Sequence, residues 1–135
     1  MSIFWLTQRD IRHFYAELLS EHGGLAGAPN EGALDSTLAR PHNLLAYEPE
    51  SSLARLAASY AFGFARNHCF PDGNKRIALT AIGVFLYVNG KELIASETDA
   101  ALTIESVAGG ETSEEELAAW IEGNSRLLDD AGQVP

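Results

Sequence analysis

Residues 77–88 read Ile-Ala-Leu-Thr-Ala-Ile-Gly-Val-Phe-Leu-Tyr-Val, a run without a single charge. A membrane crossing takes roughly 17–25 apolar residues, and this run falls short of that. Wound as a helix it is apolar on every side, so it must be buried on every side. The rest of the 135-residue chain, which is one domain in size, has to be arranged around it. A hydrophobic share of 46% is enough for such a core.

The flanking segments supply helices for that purpose. Thr7 with Asp10 has the form of an N-cap with an acid in the first turn, and Ile11, Phe14, Tyr15, Leu18 and Leu19 follow at helical spacing. Gly23-Gly24 ends that helix as an αL cap. Asn30 caps a second helix, which is expected to stop at Arg40 because Pro41 follows. Residues 42–50 are then irregular, with room for a short extended flap. Ser51 or Ser52 caps a third helix with an apolar stripe of Leu53, Leu56, Ala57, Tyr60, Ala61 and Phe64. The uncharged run forms the fourth helix, starting near Asn74, with Asn89-Gly90 as its stop. Residues 91–95 are expected to be briefly extended. Ser96 and Ser113 cap two more helices ending near Leu128. The fold expected is all-α, about six helices in one domain over residues 1–128, with a frayed tail at 129–135. Trp5, Tyr47 and Trp120 read as packing residues.

Charge narrows the function. The formal net charge is −10, which repels phosphate backbones and argues against direct nucleic-acid binding. No stretch reads as a signal peptide or membrane span, and the single cysteine, Cys69, permits no internal disulfide, so a cytoplasmic location is expected. The four histidines share no metal-ligand spacing. Against the acidic background, Arg66, Lys75 and Arg76 stand close together with Asp72 the only acid between them. Such a spot suits a specific anion.

The loop before the buried helix contains the chemistry for one. A helix N-terminus offers free N–H groups and the positive end of the helix dipole. Glycine at 73 allows a ligand close to the backbone. Lys75 and Arg76 add cationic donors, although cations in a first turn oppose the dipole unless an anion is expected. Asp72 is able either to cap the helix or to hold a magnesium ion against phosphate oxygens. His68 is able either to end the third helix or to take a proton from a hydroxyl. Cys69 beside it is a weak candidate for a nucleophile, since sequence neighbours need not face each other.

The nine residues His68-Cys69-Phe70-Pro71-Asp72-Gly73-Asn74-Lys75-Arg76 resemble the signature of the Fic/Doc family, histidine-x-phenylalanine-x-acid-glycine-asparagine-x-arginine, at six positions. Gly23-Gly24-Leu25-Ala26-Gly27 and Leu38-Ala39-Arg40-Pro41 resemble the upstream part of its death-on-curing branch. The resemblance spans about residues 7–95. It implies a helical bundle with the signature between two central helices. By position, it implies His68 as general base for a protein hydroxyl and Phe70 as the anchor of the loop. Asp72 is implied as the metal ligand, and Gly73, Asn74 and Arg76 as the phosphate cradle. Lys75 and Arg66 complete the expected nucleotide-binding set, with ATP and Mg2+ as donor and metal.

Two departures from the nucleotidyl-transferring Fic enzymes matter: Lys75 stands where they have glycine, and Leu79 where they have a second arginine. The death-on-curing branch shares both, and implies phosphoryl transfer from ATP to a hydroxyl of elongation factor Tu, blocking translation. Adenylyl transfer and a catalytically inactive binding module are the other readings. Self-restraining Fic relatives carry a serine or threonine, three variable residues, glutamate, then glycine or asparagine. Glu122-Gly123 has Ala118 at the hydroxyl position, Glu31-Gly32 has Gly27, and Thr112 with Glu116 is followed by Leu117. No internal inhibitor is therefore expected. The resemblance implies instead a toxin held by a separate antitoxin that folds on binding as an amphipathic helix.

Overall fold

A computed structural model of the chain describes residues 2–128; the expected frayed tail at 129–135 lies outside the described residues. The order of elements is α1 (Gln8–His22), α2 (Glu31–Tyr47), α3 (Leu53–Arg66), α4 (Asn74–Val88), β1 (Lys91–Leu93), α5 (Glu97–Ala108), α6 (Glu114–Gly123) and β2 (Ser125–Leu127). The all-α expectation holds, with a two-stranded ladder added.

The helix starts follow from side-chain caps. Thr7 and Ser113 form full capping boxes with Asp10 and Glu116. Asn30, Ser52 and Ser96 each accept the N–H three residues on. Each such cap is worth about 1 kcal/mol. Gly23 closes α1 at φ +71° and ψ −163°, a glycine-only geometry that differs from the expected αL cap.

The core is built on α3 and α4 together. Ile77, Ala78, Ala81, Ile82, Phe85 and Leu86 of α4 are buried, while its last turn, Tyr87 and Val88, is exposed. The deeper element is α3, in which Ala54, Leu56, Ala57, Ala58, Ser59, Tyr60, Ala61, Gly63, Phe64 and Ala65 are all buried. Its small residues let neighbours approach closely: a Cβ on Gly63 would lie 2.7 Å from Thr37 Cγ2 and 2.8 Å from Arg40 Cδ. So the most apolar helix is not the most enclosed, because α2, α4, α5 and α6 all pack on α3.

Three further expectations need correction. First, α2 does not stop at Arg40; it runs through Pro41 to Tyr47, and residues 42–47 are helical rather than an irregular flap. Inside the helix, Pro41 removes the donor for the Thr37 carbonyl and crowds that carbonyl with its ring, at a cost of about 3 kcal/mol. Pro41 itself is buried, Leu44 and Leu45 pack on the core, and the Trp5 ring stacks on His42 at 3.9 Å. Tertiary burial outweighs the local penalty. Second, the chain after α6 forms β2, antiparallel to β1 with Glu92 opposite Arg126. Third, Tyr47 is 87% exposed and is no packing residue.

Candidate active site

The turn between α3 and α4 is held from three sides. Phe70 is buried and stacks on Tyr15 with ring centroids 4.0 Å apart. Asn74 clamps the same residue: its Oδ1 accepts from the Phe70 N–H (3.0 Å) and its Nδ2 donates to the Phe70 carbonyl (2.9 Å). On the other side, Cys69 is fully buried, and its carbonyl accepts the Asn30 N–H at 2.8 Å. Burial pushes the Cys69 thiol up, which disfavours the thiolate a nucleophile needs.

Held this way, the loop presents His68 outward. His68 is exposed and is the sole non-glycine residue with positive φ (+51°) among the described residues. Left-handed backbone at a residue with a Cβ costs of order 1–3 kcal/mol and persists where surroundings impose it.

Asp72 is not the cap of α4. Its Oδ1 accepts from the Gly73 N–H (2.8 Å) and its Oδ2 from the Leu25 N–H (3.2 Å). The cap position belongs to Gly73, at φ +81°, with no side chain on the helix end. The other five helices all have side-chain caps. The first-turn N–H groups of Asn74, Lys75 and Arg76 have no carbonyl within the helix to reach, and these residues line a cleft of about 680 Å³.

The cleft gathers Arg66, His68, Asp72, Gly73, Asn74, Lys75 and Arg76, all the polar residues expected from the sequence. Their side chains are not equally free. Arg66 lies over the Phe62 ring, 5.2 Å from its centroid, and like Arg76 makes no ion pair among the described residues. Lys75 points its Nζ at Glu105 of α5, 3.0 and 3.1 Å from its two oxygens. Asn74 spends its side chain on the Phe70 backbone.

The structure adds residues that sequence reasoning did not assign. The glycine-rich turn after α1 crosses the signature: a Cβ on Gly24 would sit 3.0 Å from Asp72 Oδ2, and one on Gly27 2.9 Å from Pro71. The density of glycine in Gly23-Gly24-Leu25-Ala26-Gly27 was the available signal. Tyr15 donates its hydroxyl to the Leu25 carbonyl at 3.3 Å, and its phenol is pushed up by burial and, secondarily, by the charge of Asp72. His22 and Ala108 line the rim; nothing in the sequence singled out Ala108.

The residues present fit magnesium in one manner. Among the described residues no three carboxylate, histidine or cysteine side chains come together. Asp72 is exposed, with each oxygen accepting one N–H and keeping a further lone pair. One carboxylate plus phosphate oxygens and water is a common magnesium environment.

Buried loop anchors, an uncapped helix start and an exposed histidine thus meet at one cleft. A model of the Fic/DOC family matches residues 5–86, and the chain belongs to that family. The match covers α1 to most of α4, the elements that build the loop. Among characterised relatives, "Protein kinase doc" of Escherichia phage P1 is 36% identical over 91 residues, spanning 67% of this chain and 72% of that protein. "Toxin Doc" of Mycolicibacterium smegmatis is 38% identical over 74 residues, spanning 54% of this chain and 57% of that protein. No helix among the described residues is long and apolar enough to cross a membrane.

Proposed function

We propose that this chain is the toxin of a toxin–antitoxin pair and transfers the terminal phosphoryl group of ATP to a hydroxyl side chain of a target protein. The observation that carries the reading is His68, exposed beside the uncapped start of α4 and in one cleft with Arg66, Asp72, Lys75 and Arg76. The names of both relatives point the same way. The target class is a protein hydroxyl, with elongation factor Tu as the target the family resemblance implies and the cytoplasm as the place of action.

Each residue has a step to perform. His68 takes the proton from the acceptor hydroxyl as its oxygen attacks the terminal phosphorus, and ADP leaves with the bond electrons. The free N–H groups of the α4 first turn hold phosphate oxygens, and Arg76 and Arg66 neutralise charge on the phosphates. Asp72 would hold magnesium, which supplies further charge neutralisation when bound. Lys75, where glycine would leave the helix start open, favours terminal transfer over adenylyl transfer. A separate antitoxin, folding as it binds, restrains the toxin. Positive charge on such a partner would be steered by the net charge of −10.

The test uses ATP labelled on either its terminal or its α-phosphate, incubated with the chain, magnesium and elongation factor Tu or whole lysate. Terminal label on a protein supports the kinase. Label from the α-phosphate alone makes the chain an adenylyltransferase, and no label from either makes it a binding module. Expression of the chain by itself should arrest growth, with rescue by a small binding protein; harmless expression with the target present would rule out the toxin role.

A further inference from the structure

The strain at His68 has to be held by something other than the helix it follows. The two residues on either side of it are both tied to α2, and through one atom. Asn67 Nδ2 donates to Thr37 Oγ1 at 2.9 Å, and the same hydroxyl contacts Cys69 Sγ at 3.4 Å. Thr37 is fully buried and is one of two buried polar side chains among the described residues. Its methyl group faces Gly63 of α3, where an added Cβ would come within 2.7 Å. The hydroxyl accepts from Asn67, and between it and the sulfur either atom is able to donate, giving a continuous chain of Asn67, Thr37 and Cys69. The backbone adds a second tie to α2 through the Cys69 carbonyl and Asn30, and a tie to α3 through the Asn67 N–H on the Gly63 carbonyl at 2.8 Å.

We propose that Thr37 is a positioning residue for His68: its buried hydroxyl bridges the residues before and after the histidine and so holds His68 in the left-handed conformation that points it into the cleft. This rests on the reading of His68 as the base. Burying a hydroxyl is unfavourable unless it is bonded, and here both of its hydrogen-bond contacts go to the flanks of one strained residue. If only packing were required, valine would fill the same volume without the polar atom. Thr37 does not touch the phosphates, so its contribution falls on the proton-transfer step and not on nucleotide binding.

The experiment compares Thr37→Val, which keeps the shape and removes the hydroxyl, with Thr37→Ser, which keeps the hydroxyl and removes the methyl. Transfer from terminally labelled ATP is followed on elongation factor Tu or on the lysate protein that takes the label. Thr37→Val should lower kcat roughly 10- to 100-fold, the scale of a small misplacement, with KM for ATP within about twofold. Thr37→Ser should restore most of kcat. In amide NMR spectra, the Asn67, His68 and Cys69 resonances should move in Thr37→Val and stay near their places in Thr37→Ser. Asn67→Ala, which removes the other end of the bond from the surface side, should reproduce the kcat loss and serves if the valine protein does not fold. Parental kcat in both Thr37→Val and Asn67→Ala overturns the proposal. So does equal loss in Thr37→Val and Thr37→Ser, or a change confined to KM for ATP. Parental transfer by His68→Ala would instead remove the base reading itself, and this role with it.

Discussion

Asn74 offers the sharpest separation between holding the loop and holding the ligand. In Asn74→Ala both hydrogen bonds to the Phe70 backbone disappear, at 3.0 and 2.9 Å in the intact chain. Each is worth about 0.5–1.5 kcal/mol net, and a part-buried N–H and carbonyl are left without that partner, so the loss should be about 1–3 kcal/mol. Alanine's better helix propensity returns only a few tenths of this. For a domain of this size roughly 4 °C accompanies each kcal/mol, giving a fall in Tm of about 4–12 °C. Urea unfolding followed by circular dichroism should show a lower midpoint with an unchanged slope. Activity should fall as well, because Phe70 lies two residues after His68. Asn74→Asp should behave similarly: it keeps the acceptor but sets an oxygen against the Phe70 carbonyl. An unchanged Tm combined with a raised KM for ATP would refute this reasoning and make the Asn74 side chain a nucleotide ligand.

Four other outcomes are expected. His68→Ala should keep its Tm within about a degree while losing about 10²–10⁴-fold in transfer rate, read by label incorporation. Gly63→Ala should lower stability by about 1–3 kcal/mol in urea unfolding, since its Cβ would lie 2.7 Å from Thr37 and 2.8 Å from Arg40. Glu105→Gln should leave the urea midpoint nearly unchanged, because its pair with Lys75 is exposed on both sides and such pairs contribute about 0–1 kcal/mol. Burial, helped by the charge of Asp10 and opposed by the bond to Leu6, pushes the Tyr60 phenol up to about 12. The unfolded chain therefore loses that proton first, so stability is full below pH 10 and falls by about 1.4 kcal/mol per unit between about 10 and 12. Alkaline unfolding should flatten over that window in Tyr60→Phe.

Much of this was readable in the chain because the signals are local. Thr7, Asn30, Ser52, Ser96 and Ser113 cap helices whose apolar spacing follows directly, and the signature from His68 to Arg76 brings its own turn residues. What escaped depends on partners far along the chain. Pro41 stops a helix by local rules, and only its burial against the core shows why α2 continues. A strand of three residues has no alternation to detect, and β2 exists because β1 stands opposite it. Lys75 lies in the expected cleft, but the Glu105 that its ammonium group pairs with stands thirty residues on and could not be read from the signature. Asn74 and Tyr15 look like cradle and core, and their ties to Phe70 and Leu25 appear only in three dimensions.

The ladder between Lys91–Leu93 and Ser125–Leu127 gives the cleft an adjustable wall. It closes α5 and α6 into a loop whose ends stay paired whatever lies between them. Loop-closure entropy rises only logarithmically, by about 0.6 kcal/mol for each doubling of length. The turn that would absorb added residues, around Gly109 and Gly110, passes beside Arg66, whose guanidinium nitrogen lies 3.9 Å from where a Gly110 Cβ would be. Lengthening that turn would therefore reshape the Arg66 side of the cleft, while the loop between α3 and α4 stays as it is. If the proposed function holds, acceptor choice and phosphate handling would be written on separate stretches of chain.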